Sequence, residues 1–497
     1  MASLDNNILV LFEPTIRPTK VEVKTLDEDK EGPKQTKGVG IDKPHVIING
    51  YEFGPTDIRR FSLDITGKIP TISLTVQDSQ GSFSVGQYPR DGDCITVYIG
   101  SKNPETFKAI HMDFDIVDVS SRKVGIPHKA KKYSFTGVAK IPNLRSEDCK
   151  SLGEGSSMDH LEQIALELGL GFASNIASTD DTQIRVQPFS TTLQFISNIV
   201  GSSYAGEEAF QTYFIDQYYN LNFVEVNKVF NSPNLKGDDI QDSITSLRKS
   251  TNQDIGTDPK AGDELPTKLV LTNNTAANGT DQKIAQFSLE NNAMAISLRE
   301  GYKRVLQMYD DLESVDRVTE FDVESFTSTN ITDVEGPLKG NPSESRYSTE
   351  YKYKYVGRSQ DYSLQGNSHI NYKYSLLNNH QNLRELEKMK LIVELESFNP
   401  SLYMYQKIPV QMYLFEKGEV AGADTVNEEL KKKGVKADPE EKNAKLKEEE
   451  QPQRIDQFTS GHYVIGGIEY IYKDGDPSIR QRVTLLRREW PIRVNSI

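Results

Sequence analysis

The stretch from Phe61 to Gln77, FSLDITGKIPTISLTVQ, decides the fold because apolar and polar residues alternate in both of its halves. Successive side chains of a β-strand point to opposite faces of the sheet, so strict alternation predicts a strand with one buried face. The apolar positions of the two runs are Phe61, Leu63, Ile65, Ile72, Leu74 and Val76. The stretch therefore predicts two neighbouring half-buried strands.

The same alternation continues on the C-terminal side of this stretch. Further strands are predicted at Ile95–Ile99, Ile110–Val119 and Lys132–Val138, with turn-forming residues such as Pro89–Asp93 between them. This spacing is typical of a small antiparallel barrel or sandwich. We assign residues 45–145 to a first β-barrel domain. Residues 1–44 are polar apart from the patch Ile8–Phe12 and predict an extended N-terminal arm.

A change from period two to helical period marks an α+β domain at residues 146–235. The first helix has Ser157 as its predicted N-cap and Gly169 as its predicted end. Its apolar positions are Met158, Leu161, Ile164 and Leu168. A second helix is predicted near Leu193–Val200, and the aromatic run Phe210–Val226 predicts a hairpin that turns near Asp216–Tyr219.

The rest of the chain repeats this mixture. Residues 236–265 predict a surface linker, residues 266–388 a second α+β domain, and residues 389–490 a second β-barrel domain. The second α+β domain is predicted to contain one helix with Leu298, Tyr302, Val305, Tyr309 and Leu312 on one face, strands at Val318–Phe326 and Tyr351–Tyr355, and a short helix at Leu377–Lys388. The charged segment 416–457 is predicted to be a flexible insertion, since it offers almost nothing to bury.

The two barrel domains have the same order and spacing of strands. The predicted pairs are Ile72–Val76 with Leu391–Leu395, Ile95–Ile99 with Val410–Leu414, Ile110–Val119 with His462–Tyr472, and Lys132–Val138 with Gln481–Leu486. Alternation of this kind also arises by chance in all-β chains, so an internal repeat and coincidence both stay open. If the repeat is real, a trimer of the chain presents six similar domains around its axis.

Composition limits the classes of function. The 497 residues include 58 Lys and Arg against 72 Asp and Glu, a net charge of −14 that disfavours dedicated nucleic-acid binding. No stretch approaches the roughly 20 apolar residues of a membrane span, and the N-terminal residues lack a signal-peptide pattern, so a soluble chain without a membrane partner is expected. The two cysteines, Cys94 and Cys149, are expected to be ordinary reduced thiols.

Several stretches together resemble the central baseplate hub proteins of contractile-tailed bacteriophages. They are Ile48–Phe53, Thr71–Gly100, Phe214–Phe230, Ile408–Val410 and Gly461–Trp490. The phage late-control protein D family and the N-terminal module of type VI secretion spike proteins are similar to these hubs. The resemblance covers roughly residues 45–235 and 285–490, and the N-terminal arm and the charged insertion depart from a minimal hub.

The resemblance implies a homotrimeric ring with two tube domains per chain, in the baseplate of a virion tail assembled from protein made in the host bacterial cytoplasm. Its implied partners are other copies of itself, the cell-puncturing spike, tail-tube or tube-initiator proteins, the tape measure protein and surrounding baseplate proteins, with DNA only passing through the lumen. The implied role is a structural one, with no enzymatic activity. A tail-associated peptidoglycan hydrolase or peptidase and a host-binding adhesin remain the alternatives.

Motifs for catalysis or cofactor binding are absent from the sequence: it has no Walker phosphate loop, no H-E-x-x-H zinc helix and no C-x-x-C pair. We therefore assign no catalytic, cofactor-binding or metal-binding residue and expect no cofactor. His111, Asp113 and Asp115 fall on one face of a strand, where they could be metal ligands but are better explained as a solvated face. Segment 201–206, GSSYAG, is interpreted as the end of a helix rather than a nucleophile elbow.

Other polar motifs have ordinary structural explanations. Asp91–Asp93 and Asp474–Asp476 are predicted turns, because neither continues as a calcium loop. The basic patches Lys129–Lys132 and Arg487–Arg488 are predicted to be solvated strand ends or partners in interface ion pairs. The sequons at Asn273, Asn278 and Asn330 carry little meaning without a secretory signal.

Overall fold

The fold was analysed in a computed structural model. It describes residues 8–20, 43–231 with loop gaps at 79–80, 82, 84–87, 91, 101–107, 124–130 and 207–208, residues 270–273, 281–292, 303–310, 315–321 and 349–356, parts of 375–414, and residues 454–487 except 457. The predicted linker at 236–265 and nearly all of the predicted flexible insertion at 416–457 lie outside the described residues.

The chain is β-rich with a few short helices, which confirms the predicted β-rich α+β class. The helices are α1 (Ser157–Leu168), α2 (Thr192–Ser202) and α3 (Val226–Asn231). The strands up to α3 are β1 (Leu9–Phe12), β2 (Pro44–Ile48), β3 (Tyr51–Phe53), β4 (Ile58–Asp64), β5 (Thr71–Asp78), β6 (Cys94–Ile99), β7 (Ile110–Lys123), β8 (Lys131–Ala139), β9 (Glu147–Gly155), β10 (Gly171–Ser174), β11 (Gln183–Thr191), β12 (Gln211–Ile215) and β13 (Asn220–Glu225).

The later strands are β14 (Val270–Thr272), β15 (Asp281–Asn291), β16 (Lys303–Asp310), β17 (Val315–Phe321), β18 (Thr349–Val356), β19 (Met389–Leu395), β20 (Lys407–Gln411), β21 (Tyr413–Leu414), β22 (Arg454–Ile455), β23 (Gly461–Lys473) and β24 (Arg480–Leu486). The strands predicted from alternation between residues 61 and 138 are confirmed as β4 to β8.

Strand pairing confirms the internal repeat. In the first copy the order is β5-β8-β7-β6, and in the second it is β19-β24-β23-β20, with each strand in the same chain position as its counterpart. The long strands β7 and β23 each contain a bulge, between Ile116 and Asp118 and between Ile465 and Gly467 respectively. The two halves of the chain therefore share the order of four strands and a bulge at the corresponding point of the long strand.

Each copy has two more strands, and these differ between the copies. In the first, β2 lies beside β6 and β4 beside β5; in the second, β14 lies beside β20 and β15 beside β19. The pairing of β14 with both β15 and β20 is parallel. Strand β14 thereby completes a closed six-stranded barrel in the order β20-β14-β15-β19-β24-β23, in which β20 also pairs with β23. The first copy instead continues through β4 into antiparallel pairing with β23.

An aromatic cluster fills the core of the first copy. Phe83, nearly fully buried, has its ring centroid 5.1 Å from that of Tyr133 and 5.2 Å from that of Phe53. Gly137 on β8 leaves room beside this core, because a Cβ there would lie only 2.8 Å from Ile72 Cγ2. Burial of this many apolar groups is the main stabilising contribution to the sheet.

The helices and the hairpin within residues 146–231 follow the prediction closely. Helix α1 ends at Gly169, as predicted, in the left-handed conformation with φ 71°. Its N-cap is Ser156, one residue before the predicted Ser157, because Ser156 and Asp159 form a capping box. Ser157 instead accepts a hydrogen bond from Arg185, 2.8 Å away. The hairpin β12–β13 lies beside β10 and β1 in a four-stranded sheet.

The helix predicted over residues 298–312 is wrong, because strand β16 occupies Lys303–Asp310. Val305, Gln307 and Tyr309 also alternate with their neighbours, and strands on both sides complete the hydrogen bonding that a helix would otherwise supply. The strand predicted at 351–355 is present within β18, and the one predicted at 318–326 is present over 318–321 as part of β17, while residues 322–326 lie outside the described residues. Within the predicted helix at 377–388, the described residues Asn379, Leu383, Leu386 and Glu387 are helical.

The chain divides into two compact units. One comprises residues 1–232, 287–407 and 464–497, and it includes β1–β13, the helices, β19 and β24. The other comprises residues 233–286 and 408–463. In it, Asn273 binds the backbone of Tyr413 at both ends of its amide, donating to O at 3.0 Å and accepting from N at 2.8 Å. Among the described residues, no helix has both the length and the apolar character needed to span a bilayer.

Candidate functional site

A polar junction is built around Asp113 in the middle of β7. Its carboxylate Oδ1 accepts a hydrogen bond from Thr96 Oγ1 of β6 at 2.7 Å. Its Oδ2 accepts two bonds from Thr19 of the N-terminal arm, from the backbone N and from Oγ1, both at 2.9 Å. Asp113 is buried, so these bonds replace the water that a carboxylate needs.

The hairpin turn between β12 and β13 reaches the same residue through Tyr219. Asp113 N donates to Tyr219 Oη at 2.7 Å, and Tyr219 Oη donates to Asp113 O at 3.3 Å. Tyr219 has a positive φ of 63°, a conformation that costs free energy for a bulky residue unless its surroundings enforce it. Burial raises the pKa of Tyr219, so the hydroxyl keeps its proton and remains a donor.

Asp216 shapes this turn from inside. Its Oδ1 accepts hydrogen bonds from Tyr218 N at 2.8 Å and from Asn220 N at 2.9 Å, and its Oδ2 accepts from Asn220 Nδ2 at 2.9 Å. Burial raises the pKa of Asp216, and these donors oppose the rise by stabilising the charged form. The arrangement fixes the backbone that presents Tyr219 to β7.

The N-terminal arm connects the α+β domain to this junction. Strand β1 pairs antiparallel with β10, and the backbone N–H groups of Thr15 and Ile16 both donate to Gly169 O. Gly169 is needed at this contact, because a Cβ would lie 2.8 Å from Thr15 Oγ1. Farther along the arm, Thr19 O lies 2.9 Å from His111 Nε2. Over residues 8–20, the predicted extended arm therefore runs from β10 and Gly169 to β7.

These contacts correct the interpretation of His111, Asp113 and Asp115 as a solvated strand face. Asp113 and His111 are engaged by the arm, and Asp115 lies 3.8 Å from Lys140 in an ion pair. Burial lowers the pKa of His111, which favours the neutral ring. The three side chains point to protein partners and share no common centre for a ligand.

The other sequence motifs have structural roles. The segment 201–206 contains the end of α2, as predicted, and Ser203 Oγ donates to Val200 O at 2.8 Å. Both predicted turns are confirmed, with Gly92 at φ 84° and Gly475 at φ 91°. Asp93 accepts from Arg90 N at 2.7 Å, and Asp476 forms an ion pair with Arg480 at 2.9 Å. These carboxylates therefore stabilise their own turns and bind residues of the neighbouring strands.

The cysteines are free thiols, Cys94 partly buried and Cys149 exposed. In the basic patch, Lys131 and Lys132 of β8 lie opposite Lys123 and Arg122 of β7. The positions Lys129, Arg488, Asn278 and Asn330 lie outside the described residues. Sequence reasoning located the turn at 216–219 but missed the roles of Tyr219 and Thr19, because both act on a strand about 100 residues away.

No protein-family model matches the chain, and no curated protein matches it. Among solved structures, it is similar to the tail protein from Neisseria meningitidis MC58, over 90% of this chain and 96% of that one, at 10% identity and a TM-score of 0.43. It is also similar to the 43 kDa tail protein of prophage MuSo2 from Shewanella oneidensis, over 90% and 97%, at 8% identity and a TM-score of 0.46.

A third similar structure is an E. coli component of the type VI secretion system, described as structurally similar to the T4 bacteriophage tail proteins gp27 and gp5. The similarity covers 90% of this chain and 78% of that one, at 9% identity and a TM-score of 0.41. These three solved structures are thus two phage-type tail proteins and one component of a type VI secretion system.

Proposed function

We propose that this chain is a structural protein of a contractile phage-type tail and, more specifically, the central hub of its baseplate. In this role three copies form a ring that joins the tail tube to the cell-puncturing spike and leaves an axial passage for DNA. The proposed partners are the spike, tail-tube or tube-initiator proteins, the tape measure protein and neighbouring baseplate proteins. The proposed location is the baseplate of the virion tail.

The observation that carries this proposal is the duplicated sheet. The order β5-β8-β7-β6 recurs as β19-β24-β23-β20, with the bulge of the long strand in the same place. A closed ring of three chains, each with two such copies, presents six similar surfaces around one axis. This geometry suits an adaptor between a six-fold tube and a three-fold spike.

The chemistry of the junction favours a structural role over an enzymatic one. Asp113, His111 and Tyr219 form a polar group around β7, and their hydrogen bonds run between elements of the fold. An enzyme needs a reactive group held ready for substrate, in reach of a positioned acid or base. A tail-associated hydrolase or peptidase and a host-binding adhesin are the competing functions that experiment must separate.

Mass measurement of the purified protein tests the proposal. A trimer of the 56.0 kDa chain, alone or with a spike partner, is the expected species. A monomer at every concentration and with every tail partner would overturn it. Zymography on peptidoglycan provides the second test, because clearing that is abolished by replacement of one carboxylate would establish the hydrolase instead.

A further inference from the structure

Strands β4 and β15 share a sequence motif and a place in the duplicated sheet. Residues 58–64 read IRRFSLD and residues 284–290 read IAQFSLE, so Ile, Phe, Ser, Leu and an acid recur at the same spacing. Strand β4 lies beside β5, and β15 lies beside β19, the counterpart of β5. Phe287 of β15 therefore corresponds to Phe61 of β4, and Leu289 corresponds to Leu63.

The two strands differ in what covers them. Phe61 and Leu63 are both 0% exposed, and the β4 edge away from β5 pairs with β23, with Leu63 opposite Tyr470. Phe287 is 48% exposed and Leu289 is 38% exposed. Strand β14 pairs with β15 only at Asp281–Lys283. Among the described residues, no strand lies beside the FSLE segment on that edge of β15.

A second edge without a described strand beside it lies on β7, the counterpart of β23, where Tyr88 Oη donates to Ser121 Oγ at 3.3 Å. Strand β6 pairs with β7 only up to Asp115, and the turn at Gly92 and Asp93 binds Ile116. Beyond this point no described strand lies on that edge, and Val117 is 52% exposed. In β23, the equivalent segment is the one that pairs with β4.

We propose that these two edges pair with each other between two copies of the chain, with β15 of one copy antiparallel to β7 of the next. Aligning the two bulges places Val117 at Gly466 and Ser120 at Glu469. Within one chain, Glu469 lies opposite Asp64. Ser120 is the counterpart of Glu469, and Glu290 is the counterpart of Asp64. In the proposed pairing between chains, Glu290 therefore lies opposite Ser120, and Leu289 lies opposite Ser121. The inference rests on the self-association in the proposed function and assigns the surfaces that achieve it.

Physical reasons favour a second copy as the occupant of both edges. A strand edge with half-exposed Phe and Leu is an aggregation hazard that native proteins normally protect with charge, bulges or cover. On β7, Arg122 lies opposite Lys132 of β8, and such like-charged pairs are destabilising unless an acid lies nearby. Glu290, diagonal to Arg122 in the proposed register, supplies that acid.

The contact also accounts for a closed ring. Within one chain, the β4–β23 pairing joins the first copy of the sheet to the second. The β15–β7 pairing joins the second copy to the first copy of the next chain by the same kind of edge. Repetition of one contact, alternately within and between chains, closes a head-to-tail ring when the rotation fits, and three chains then complete six contacts.

Disulfide trapping across the proposed register tests the pairing. In a background with Cys149→Ser, two variants, Ser120→Cys and Glu290→Cys, are mixed and oxidised. Directly opposed residues have Cβ atoms about 4.5–5.5 Å apart, near the range that a disulfide bridges. The mixture is expected to give a covalent dimer on a non-reducing gel, and each variant alone is not.

The matched control pairs Ser121→Cys with Glu290→Cys. A slip of one residue turns the side chain to the opposite face of the sheet, so this pair is expected to cross-link poorly. A trimeric mass without the Ser120–Glu290 cross-link would overturn the edge pairing but leave the proposed hub intact. A monomer in the mass measurement, also without a cross-link, would overturn both.

A charge placed on the apolar edge supplies an independent readout. Phe287→Lys is expected to weaken self-association on the order of 100-fold, because in the proposed register it places a cation opposite Lys123 of β7 in place of an aromatic ring. Val186→Lys is the control, since Val186 is a comparably exposed apolar residue on β11. Equal association of the two variants, with unchanged circular dichroism, would refute the proposed surface.

Discussion

The two copies of the duplicated sheet have the same strand order but are completed in different ways. The second copy closes on itself, because β14 pairs with both β15 and β20. The first copy stays open and is completed by other parts of the chain, with β23 along β4 and with Tyr219 and the arm against β7. Alternation within a strand determines which of its faces is buried, whereas the neighbouring strands decide which of its edges is covered.

The largest expected effect comes from truncating the same residue type at corresponding places in the two copies. Phe61→Ala is expected to destabilise the protein by about 3–5 kcal/mol, because it leaves a cavity in a fully buried site. Phe287→Ala, at the half-exposed counterpart, is expected to cost less than about 1 kcal/mol in the unassociated chain. Denaturant unfolding of both variants measures the difference, and equal losses would contradict the contrast between the two strands.

A smaller effect is expected at the junction on the first copy. Tyr219→Phe removes the hydroxyl that bonds to both backbone groups of Asp113, and the loss is expected to be about 1–3 kcal/mol because a buried N–H loses its partner. Tyr218→Phe is the control, since its hydroxyl bond to Lys108 O is exposed. Thermal unfolding compares the two, and an equal effect would show that the Tyr219 bonds contribute nothing special.

The smallest expected effect is a pH dependence that is larger in the first copy of the sheet than in the second. Burial lowers the pKa of His45 on β2 and of His111 on β7. Below about pH 6.5 the unfolded chain then binds more protons than the folded chain. The contribution of these two histidines to the free energy of unfolding is therefore complete above that pH and decreases as the pH falls. Hydrogen exchange at about pH 7.5 and about pH 5.5 should show weaker protection of β6–β7 at the lower pH, with β24 less affected.

His111→Gln provides the control for this comparison. Glutamine retains a polar side chain but cannot take up a proton, so the pH-dependent loss of protection on β7 should shrink. The same loss in the variant and in the parent chain would assign the pH dependence to other groups.

Features that depend on neighbours close in the sequence were predictable, whereas features that depend on distant residues were not. Strands β4 to β8 and the end of α1 at Gly169 were predictable, because alternation and a left-handed glycine act within a few residues. The predicted helix over residues 298–312 was wrong, because Val305 and Tyr309 fit both periods and strands β17 and β18 decided between them. The junction at Asp113 was not predictable, since its partners Thr19 and Tyr219 are 94 and 106 positions away.

The sequence by itself determined the β-rich class and the positions of most strands along the chain, whereas it left the repeat of their order in the second half of the chain open. Those properties depend on side-chain alternation, which is a local consequence of backbone geometry. Only the tertiary structure decided that one copy closes and the other stays open, and that the FSLD segment is buried while the FSLE segment is not. An edge is buried or exposed according to which distant strand reaches its backbone hydrogen-bonding groups, and that pairing is a property of the folded chain.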